Sequence, residues 1–453
     1  MKSVIICDME GIILQMNDGA SEVFGYDPKD LIGIKRVSVF SPGEIVIQNV
    51  LNWLKTANSK GVFETKTNFI KKDGTTFSGK CKITPNFANG KNNPQTGYCG
   101  ITEVIDDKVE VPISFLTKII KGVAITRAGF ATASIFPILA TASYLAGSGD
   151  GLFSILSLFI TSVGIMTLQL FSNLYNDYFD VKHGTDEANT EYFNAGMNSK
   201  ILEGAQISGG SRAIELGLIT INGTKKLANY MLLFTVTTLL GLMINSFIIT
   251  KSFSNSIYAI LIAVIAVFLG YFYTAKPLRL VAMRGLGELT IFITFGPLLT
   301  LGSAFAISSE TIELFSFDFY NFLLLGIPQG ILTTNILFIN QFPDYTSDKL
   351  SGKNNLVVIL GKRNARWIYL MLMISTFIFM YFYKSVLSDN LVNFNSLFYD
   401  ISSLCLFIFG SIISIGLFRN YNNRELISTN IYTIHFQSIF SITFILLLNS
   451  FFI

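Results

Sequence analysis

The sequence predicts a multi-pass, all-α membrane bundle of about nine transmembrane helices, preceded by a small α+β domain. Hydrophobic residues make up 51% of the 453 residues and charged residues only 14%, a balance typical of integral membrane proteins. The chain is mixed and polar up to about residue 112, whereas long runs of Phe, Ile and Leu dominate after it. We therefore expect a first domain at 1–107, a linker with an interfacial helix at 108–123, and a membrane domain at 124–453.

The charge and the reactive side chains exclude several classes of function. The formal net charge is only +3 and no basic stripe is interleaved with aromatic residues, so no nucleic-acid partner is expected. Two histidines are too few for histidine-rich metal sites, and the four cysteines show no metal-ligand spacing and indicate a reducing compartment. The first residues lack the basic-then-apolar pattern of a cleaved signal, so the polar N-terminal part is expected in the cytoplasm.

Short strands and helices alternate over the first 107 residues. Strand patterns flank a tight turn at residues 8–11, and a short helix ends at Gly25. The tripeptide Lys72-Asp73-Gly74 predicts a hairpin, and a last strand is expected from Gly97 to Ile105. This pattern indicates a small sheet with helices packed beside it.

The order of these pieces resembles a PAS domain over about residues 1–107. The matching segments are residues 8–11, 20–26, 30–33, 71–75 and 97–102. The resemblance implies a sensory or interaction module that is often dimeric, which makes this domain the candidate surface for a dimer. It contains no histidine for a haem ligand and no Asn-Cys-Arg segment of the flavin-linking kind, so we expect it to act by contact.

A charged linker at residues 106–112 separates this domain from the membrane part. Residues 113–126 follow, with Lys118, Lys121 and an apolar face, a pattern of a helix that lies on a membrane surface. The same residues also fit the start of the first membrane helix. Both interpretations remain open from the sequence.

Nine apolar runs, each near the 20 residues needed to cross a bilayer, predict the membrane spans. They are 124–146, 153–177, 227–249, 255–273, 288–307, 319–341, 365–384, 398–418 and 428–450. Loops after the even-numbered spans hold most of the lysines and arginines of the membrane part, whereas the alternate loops hold only Lys251 and Lys384. By the positive-inside rule, we expect a multi-pass protein of the cell membrane with its N-terminal domain and the ends of the even spans in the cytoplasm.

Two acidic clusters end spans two and six. In each, an asparagine precedes an aspartate by four residues, so that both side chains share one helix face. If the clusters face each other, they form an oxygen-rich pocket suited to Mg²⁺ and a polyphosphate. The alternative, solvated loop residues, is weakened because the same register occurs twice. The clusters comprise Asn176, Asp177, Asp180 and Asp186, and Asn340, Asp344 and Asp348.

Cationic residues are expected on the same side of the membrane as the clusters. An anionic substrate bridged by a metal to carboxylates still needs cations for its remaining oxygens. Each of these residues also fits an ordinary positive-inside anchor. The candidates are Arg212, Lys276, Arg279 and Lys353.

The membrane part resembles the UbiA-type intramembrane prenyltransferases over about residues 120–450. The matching segments are residues 173–180, 184–186, 273–274, 285–288, 295–298, 340–348 and 352–353. The resemblance implies a nine-helix bundle that uses Mg²⁺ to transfer a prenyl group from an isoprenyl diphosphate to an acceptor, often an aromatic one, with the lipid tail along apolar helix faces.

Within that family, the long first motif and Phe295-Gly296-Pro297-Leu298 look most like the branch that prenylates dihydroxynaphthoate in menaquinone synthesis. The chain departs from that branch at residues 340–344, where Asn-Gln-Phe-Pro-Asp replaces Asn-Asn-x-Arg-Asp. It also lacks the Arg-Pro stretch between Asp186 and Gly209. The acceptor is therefore left open.

The resemblance also implies roles for individual residues. Asp180 and Asp344 are the expected catalytic carboxylates, with Tyr273 shielding an allylic carbocation. The diphosphate is neutralised by Arg212, Lys276, Arg279 and Lys353. The metal ligands are Asn176, Asp180, Asp186, Asn340, Asp344 and Asp348, with Asp177 as a further candidate.

Two other functions compete with this interpretation. One is a membrane sensor whose bundle binds quinone or isoprenoid lipid without catalysis, which the intact acidic motifs argue against. The other is a transporter, disfavoured because no charged residue lies mid-span and no paired Pro or Gly breaks stand out in the sequence.

Overall fold

The computed structural model describes residues 2–9, 11–148, 153–183, 213–214, 218–423 and 425–448. By their contacts these residues divide into two compact units, and the boundary along the N-terminal part of the chain lies between Thr126 and Arg127. The sequence places the end of the linker slightly earlier, at residue 123. The first unit therefore includes the whole helix that follows the charged linker.

The first unit is built on a five-stranded antiparallel sheet with the strand order β2-β1-β5-β4-β3. The predicted hairpin joins β3 to β4, and its Gly74 adopts φ +85°, a conformation that glycine enters without strain. The strands are β1 Lys2–Asp8, β2 Ile13–Met16, β3 Phe63–Ile70, β4 Thr76–Asn86 and β5 Gly97–Val104. The helices are α1 Asp18–Phe24, α2 Pro28–Leu31, α3 Gly43–Ile45, α4 Leu51–Lys60 and α5 Phe115–Thr126.

Aromatic side chains fill the core between this sheet and its helices. The ring of Phe24, at the end of α1, lies 4.2 Å from the Phe40 ring and 5.8 Å from the Phe69 ring, measured between centroids. Edge-to-face aromatic pairs such as Phe24–Phe69 stabilise a core beyond the burial of their area. The sheet and helices predicted for the N-terminal domain are thus confirmed.

The second unit contains nine helical spans long and apolar enough to cross a membrane, counted over the described residues. Each corresponds to one of the nine predicted runs, so the multi-pass bundle is confirmed. The helices are α6 Thr132–Gly147, α7 Ile155–Lys182, α8 Ile221–Thr250, α9 Ser254–Phe272, α10 Leu286–Phe295, α11 Pro297–Ile307, α12 Phe317–Leu325, α13 Ile327–Asn340, α14 Tyr345–Leu350, α15 Leu356–Leu360, α16 Lys362–Asn390, α17 Ser396–Asn420 and α18 Leu426–Leu448.

Spans five and six are each broken in the middle, at positions that did not stand out in the sequence. Span five breaks between α10 and α11 at Gly296, and span six breaks between α12 and α13 at Gly326. A Cβ atom added to Gly326 would lie 2.4 Å from the Gly296 carbonyl carbon. The breaks therefore coincide with a close backbone crossing, which small residues permit in membrane bundles.

We expect Gly330→Ala to destabilise the bundle by about 1–3 kcal/mol, because overpacking at a tight crossing forces backbone shifts. The new Cβ would lie 2.5 Å from the Phe292 carbonyl oxygen of α10. The matched control is Gly241→Ala in α8, where nothing lies within 4 Å of the added atom. Thermal unfolding in detergent should show a lower midpoint for the first variant only, and equal midpoints would contradict the crossing.

Candidate active site

Two carboxylates from the separate acidic clusters meet at one buried ammonium group. Asp180 lies near the end of α7, Asp348 lies in α14, and Lys353 lies in the turn after α14. The Lys353 Nζ atom is 3.0 Å from Asp180 Oδ1 and 3.8 Å from Asp348 Oδ1. The fold therefore brings the ends of spans two and six to the same place.

Solvent is largely excluded from this cluster, since the Lys353 side chain is only 10% exposed. Burial by itself would lower the pKa of Lys353, but the carboxylates of Asp180, Asp348 and Asp344 raise it above its ordinary value. Burial raises the pKa of Asp348, a shift that Lys353 opposes and Asp180 increases. The cluster thus holds more acidic groups than cations, an arrangement that attracts a further positive charge.

A short polar frame holds Asp348 in position. The side-chain amide of Asn355 donates to Asp348 Oδ2 at 2.7 Å, and its Oδ1 accepts from the Val358 N–H at the start of α15. The backbone N–H of Lys353 donates to the Asp348 carbonyl at 2.8 Å. These bonds close the turn between α14 and α15, and this closure places the lysine beside the carboxylate.

Glu288 is a buried carboxylate that the sequence analysis did not include in the site. It lies in the first turn of α10, and its Oε1 accepts from Gln341 Nε2 at 3.1 Å and from the Leu356 N–H at 3.0 Å. Glu288 therefore ties both ends of the second acidic segment to span five. A single glutamate inside an apolar span was the signal that could have found it.

Further cations lie near the cluster. Arg279 donates from Nη1 to the Ser351 carbonyl at 3.2 Å, and its buried Nη2 has no hydrogen-bond partner among the described residues. Lys276 is exposed. Burial, and then the charges of Arg279 and Lys276, lower the pKa of His183 at the end of α7. The region beside the carboxylates is thus electropositive, as an anionic ligand requires.

The two asparagines of the clusters are each held by a neighbouring element. Thr274 donates its hydroxyl to Asn176 Oδ1 at 2.9 Å, and Asn430 of α18 donates to Asn340 Oδ1 at 3.1 Å. Both amide oxygens therefore already accept a hydrogen bond. Metal binding through either of them stays a prediction.

Asp177 and Tyr273 have surroundings different from those of the aspartate cluster. Asp177 is buried and lies 3.6 Å from the Arg127 Nε atom, which gives this carboxylate a cationic partner. Tyr273 is buried, which raises the pKa of its phenol, so the hydroxyl stays protonated. Its Oη atom has no hydrogen-bond partner in the described part of the chain.

The donors that converge fit Mg²⁺ by their chemistry. Asp180, Asp344 and Asp348 offer carboxylate oxygens, and Mg²⁺ is usually bound by one or two carboxylates together with water and substrate phosphates. Within the described ranges, no three His, Cys, Asp or Glu residues form a metal site by themselves. Asp186 and Arg212 lie outside the described residues. Carboxylates of this cluster together with a diphosphate would therefore suit this ion better than a closed protein cage.

Two adjoining apolar cavities run along α7 from the level of this cluster. One, of about 130 Å³, is bounded by Asn176 and Tyr273, and the other, of about 90 Å³, reaches Ile160. From Ile160 to Asn176 the helix rises about 24 Å, most of the thickness of a bilayer core. The two cavities share the wall residues Ile165, Ala266, Thr294 and Leu299.

Comparison with protein families gives two matches. A model described as the UbiA prenyltransferase family matches residues 219–434, and a model described as a PAS domain matches residues 1–105. The UbiA prenyltransferase domain-containing protein 1 of Dictyostelium discoideum is 29% identical over 315 residues, which cover 70% of this chain and 82% of that protein. The two parts of the chain thus match two separate families.

Naphthoate and naphthoquinone prenyltransferases are also similar to the chain. The 1,4-dihydroxy-2-naphthoate octaprenyltransferase of Bacillus subtilis is 27% identical, over 53% of this chain and 66% of that enzyme. A 2-carboxy-1,4-naphthoquinone phytyltransferase of Synechocystis is 37% identical over 99 residues, which span only 30% of that protein. A UbiA homologue from Archaeoglobus fulgidus solved with GPP and Mg²⁺ is 15% identical, with a TM-score of 0.44 over 72% of this chain and 99% of that one.

Proposed function

We propose that the chain, which contains a UbiA prenyltransferase family domain and an N-terminal PAS domain, transfers a prenyl group from an isoprenyl diphosphate to an aromatic acceptor. The observation that carries this proposal is the convergence of Asp180 and Asp348 on Lys353, which joins the two acidic clusters beside further cations. An arrangement of opposed carboxylates and cations suits a metal-bound diphosphate.

The residues of the cluster have distinct tasks in this proposal. Asp180, Asp344 and Asp348 would hold Mg²⁺, assisted by Asn176 and Asn340, with Asp177 and Asp186 as further candidates. The bound ion supplies charge stabilisation to the diphosphate oxygens. Lys353 and Arg279, with Lys276 and Arg212 as further candidates, neutralise the rest of the charge that develops on the leaving diphosphate.

The allylic C–O bond breaks with both electrons leaving on the diphosphate, and an electron-rich ring carbon of the acceptor attacks the resulting cation. The attacked carbon then gives up its proton to the released diphosphate, which restores the aromatic ring. Tyr273 bounds the cavity and stays protonated, so its ring can face the cation while its hydroxyl remains neutral. The apolar cavities along α7 take the prenyl chain and keep water from the cation.

We expect Ala266→Phe to reduce transfer of a geranylgeranyl group by about tenfold or more, while transfer of a dimethylallyl group persists, because the new ring fills the wall shared by both cavities. The matched control is Val264→Phe on the same helix, where the side chain is exposed. Rates measured with a series of diphosphates check this. Equal losses for short and long donors would count against the cavity as the prenyl site.

We propose 1,4-dihydroxy-2-naphthoate as the acceptor, supported by the names of the relatives and by the resemblance at residues 295–298. We also propose that the site opens to the cytoplasm, as the lysine and arginine distribution indicates, and that the PAS domain modulates transfer by contact.

Membranes that contain the full chain, incubated with labelled geranylgeranyl diphosphate and a panel of acceptors, test this function. Product should form in the presence of Mg²⁺, and no product should form when EDTA removes the Mg²⁺. Binding of the lipid without product on any acceptor would favour the non-catalytic sensor, and product from acceptors other than naphthoates would correct only the acceptor.

A further inference from the structure

The helix α5 has two faces with opposite properties. On one face, Gln48 of the first compact unit, hereafter the PAS unit, accepts two hydrogen bonds through Oε1. The donors are the Thr117 hydroxyl at 2.9 Å and the Ser114 N–H at 2.8 Å. One turn further along the same face, Lys121 forms an ion pair with Glu44. This face of the helix is therefore fixed to the PAS unit by paired polar groups.

The opposite face of α5 is apolar and exposed. Phe115 is 78% exposed and Leu116 is 65% exposed, and Ile119, Ile120 and Val123 continue the same stripe at helical spacing. Large apolar side chains scattered singly on a surface need no explanation, but five on one face of a twelve-residue helix form a patch that needs a partner.

The position of α5 in the chain indicates what that partner is. The helix ends at Thr126, and the first membrane span begins at Ala128. The two are separated by Arg127, whose φ of +54° breaks the helix, so α5 is not the start of that span. A helix one residue away from a bilayer span has its end at the bilayer surface. It carries the exposed Lys118 and no acidic residue, as suits anionic headgroups.

We propose that α5 lies in the membrane surface, with its Phe115–Val123 apolar stripe inserted at the boundary between headgroups and acyl chains. The helix thereby attaches the PAS domain to the bilayer. Its polar face packs on the PAS domain, while its apolar face contacts lipid. This inference concerns binding to lipid and does not depend on the proposed transfer reaction.

Tryptophan fluorescence of the full chain in phosphatidylcholine–phosphatidylglycerol vesicles tests the proposal. We compare Leu116→Trp and Ile119→Trp on the stripe with Ile34→Trp, which replaces an exposed isoleucine elsewhere on the same unit. The emission of each variant is compared with that of the unmodified chain, which contains two native tryptophans. The emission of the tryptophan introduced by either stripe substitution should shift to the blue. It should also be quenched most by lipids brominated near the glycerol end of the acyl chain.

The Ile34→Trp control should show neither the blue shift nor the quenching. A blue shift on the stripe without quenching by brominated lipid would mean that protein, such as a second copy of the PAS unit, covers it, and would overturn the proposal. Emission at the stripe that matches the control would overturn it as well, since the stripe would then face water.

Discussion

Asp180→Asn is expected to reduce prenyl transfer at least about a thousandfold, because stabilisation of a leaving group by a metal and by fixed charges is often the main source of a rate enhancement. The change keeps the shape of the side chain and removes the charge that faces Lys353 at 3.0 Å. Transfer from labelled diphosphate in membranes measures the loss, and the amount of inserted protein is measured beside it.

Two comparisons make this result specific to the cluster. Asp344→Asn should give a similar loss, because its carboxylate also acts on the charge of Lys353. Asp389→Asn, at an exposed position near the end of α16, should leave transfer at the level of the native protein. Native-like turnover by the Asp180 variant would refute the assigned site.

Lys353→Met is expected to reduce transfer by about a hundredfold or more, since one preorganised cation is lost at the leaving group. It should also destabilise the protein by about 3–5 kcal/mol, because two largely buried carboxylates are left without their partner. Lys349→Met, at an exposed lysine of α14, is the matched control. Transfer rates and thermal unfolding in detergent check both effects.

The double variant Lys353→Met with Asp348→Asn separates stability from catalysis. Removing one of the two facing carboxylates relieves the uncompensated charge, so much of the lost stability should return. Transfer should stay low because the diphosphate has lost one cation and the metal has lost one carboxylate. Recovery of transfer together with stability would show that Lys353 serves only to hold the fold.

The elements of the fold that have strong local signals could be predicted from the sequence. The nine spans follow from apolar length, and the hairpin of the PAS unit follows from Lys72-Asp73-Gly74, because both signals are local. The breaks at Gly296 and Gly326 were missed, since each became meaningful only when the two helices were seen to cross. The same holds for Glu288, whose partners come from a segment more than fifty residues away.

The sequence by itself determined that the chain spans a membrane, that a sheet domain precedes the bundle, and that two acidic helix ends carry matching Asn and Asp residues. Only the tertiary structure decided that Asp180 and Asp348 share one lysine, that Asp177 lies beside Arg127, and that α5 joins the PAS unit. The physical reason is one of range. The length of an apolar run, its hydrophobic period and the residues of a turn are properties of one continuous segment. Which side chains meet depends instead on how helices from distant segments rotate and cross.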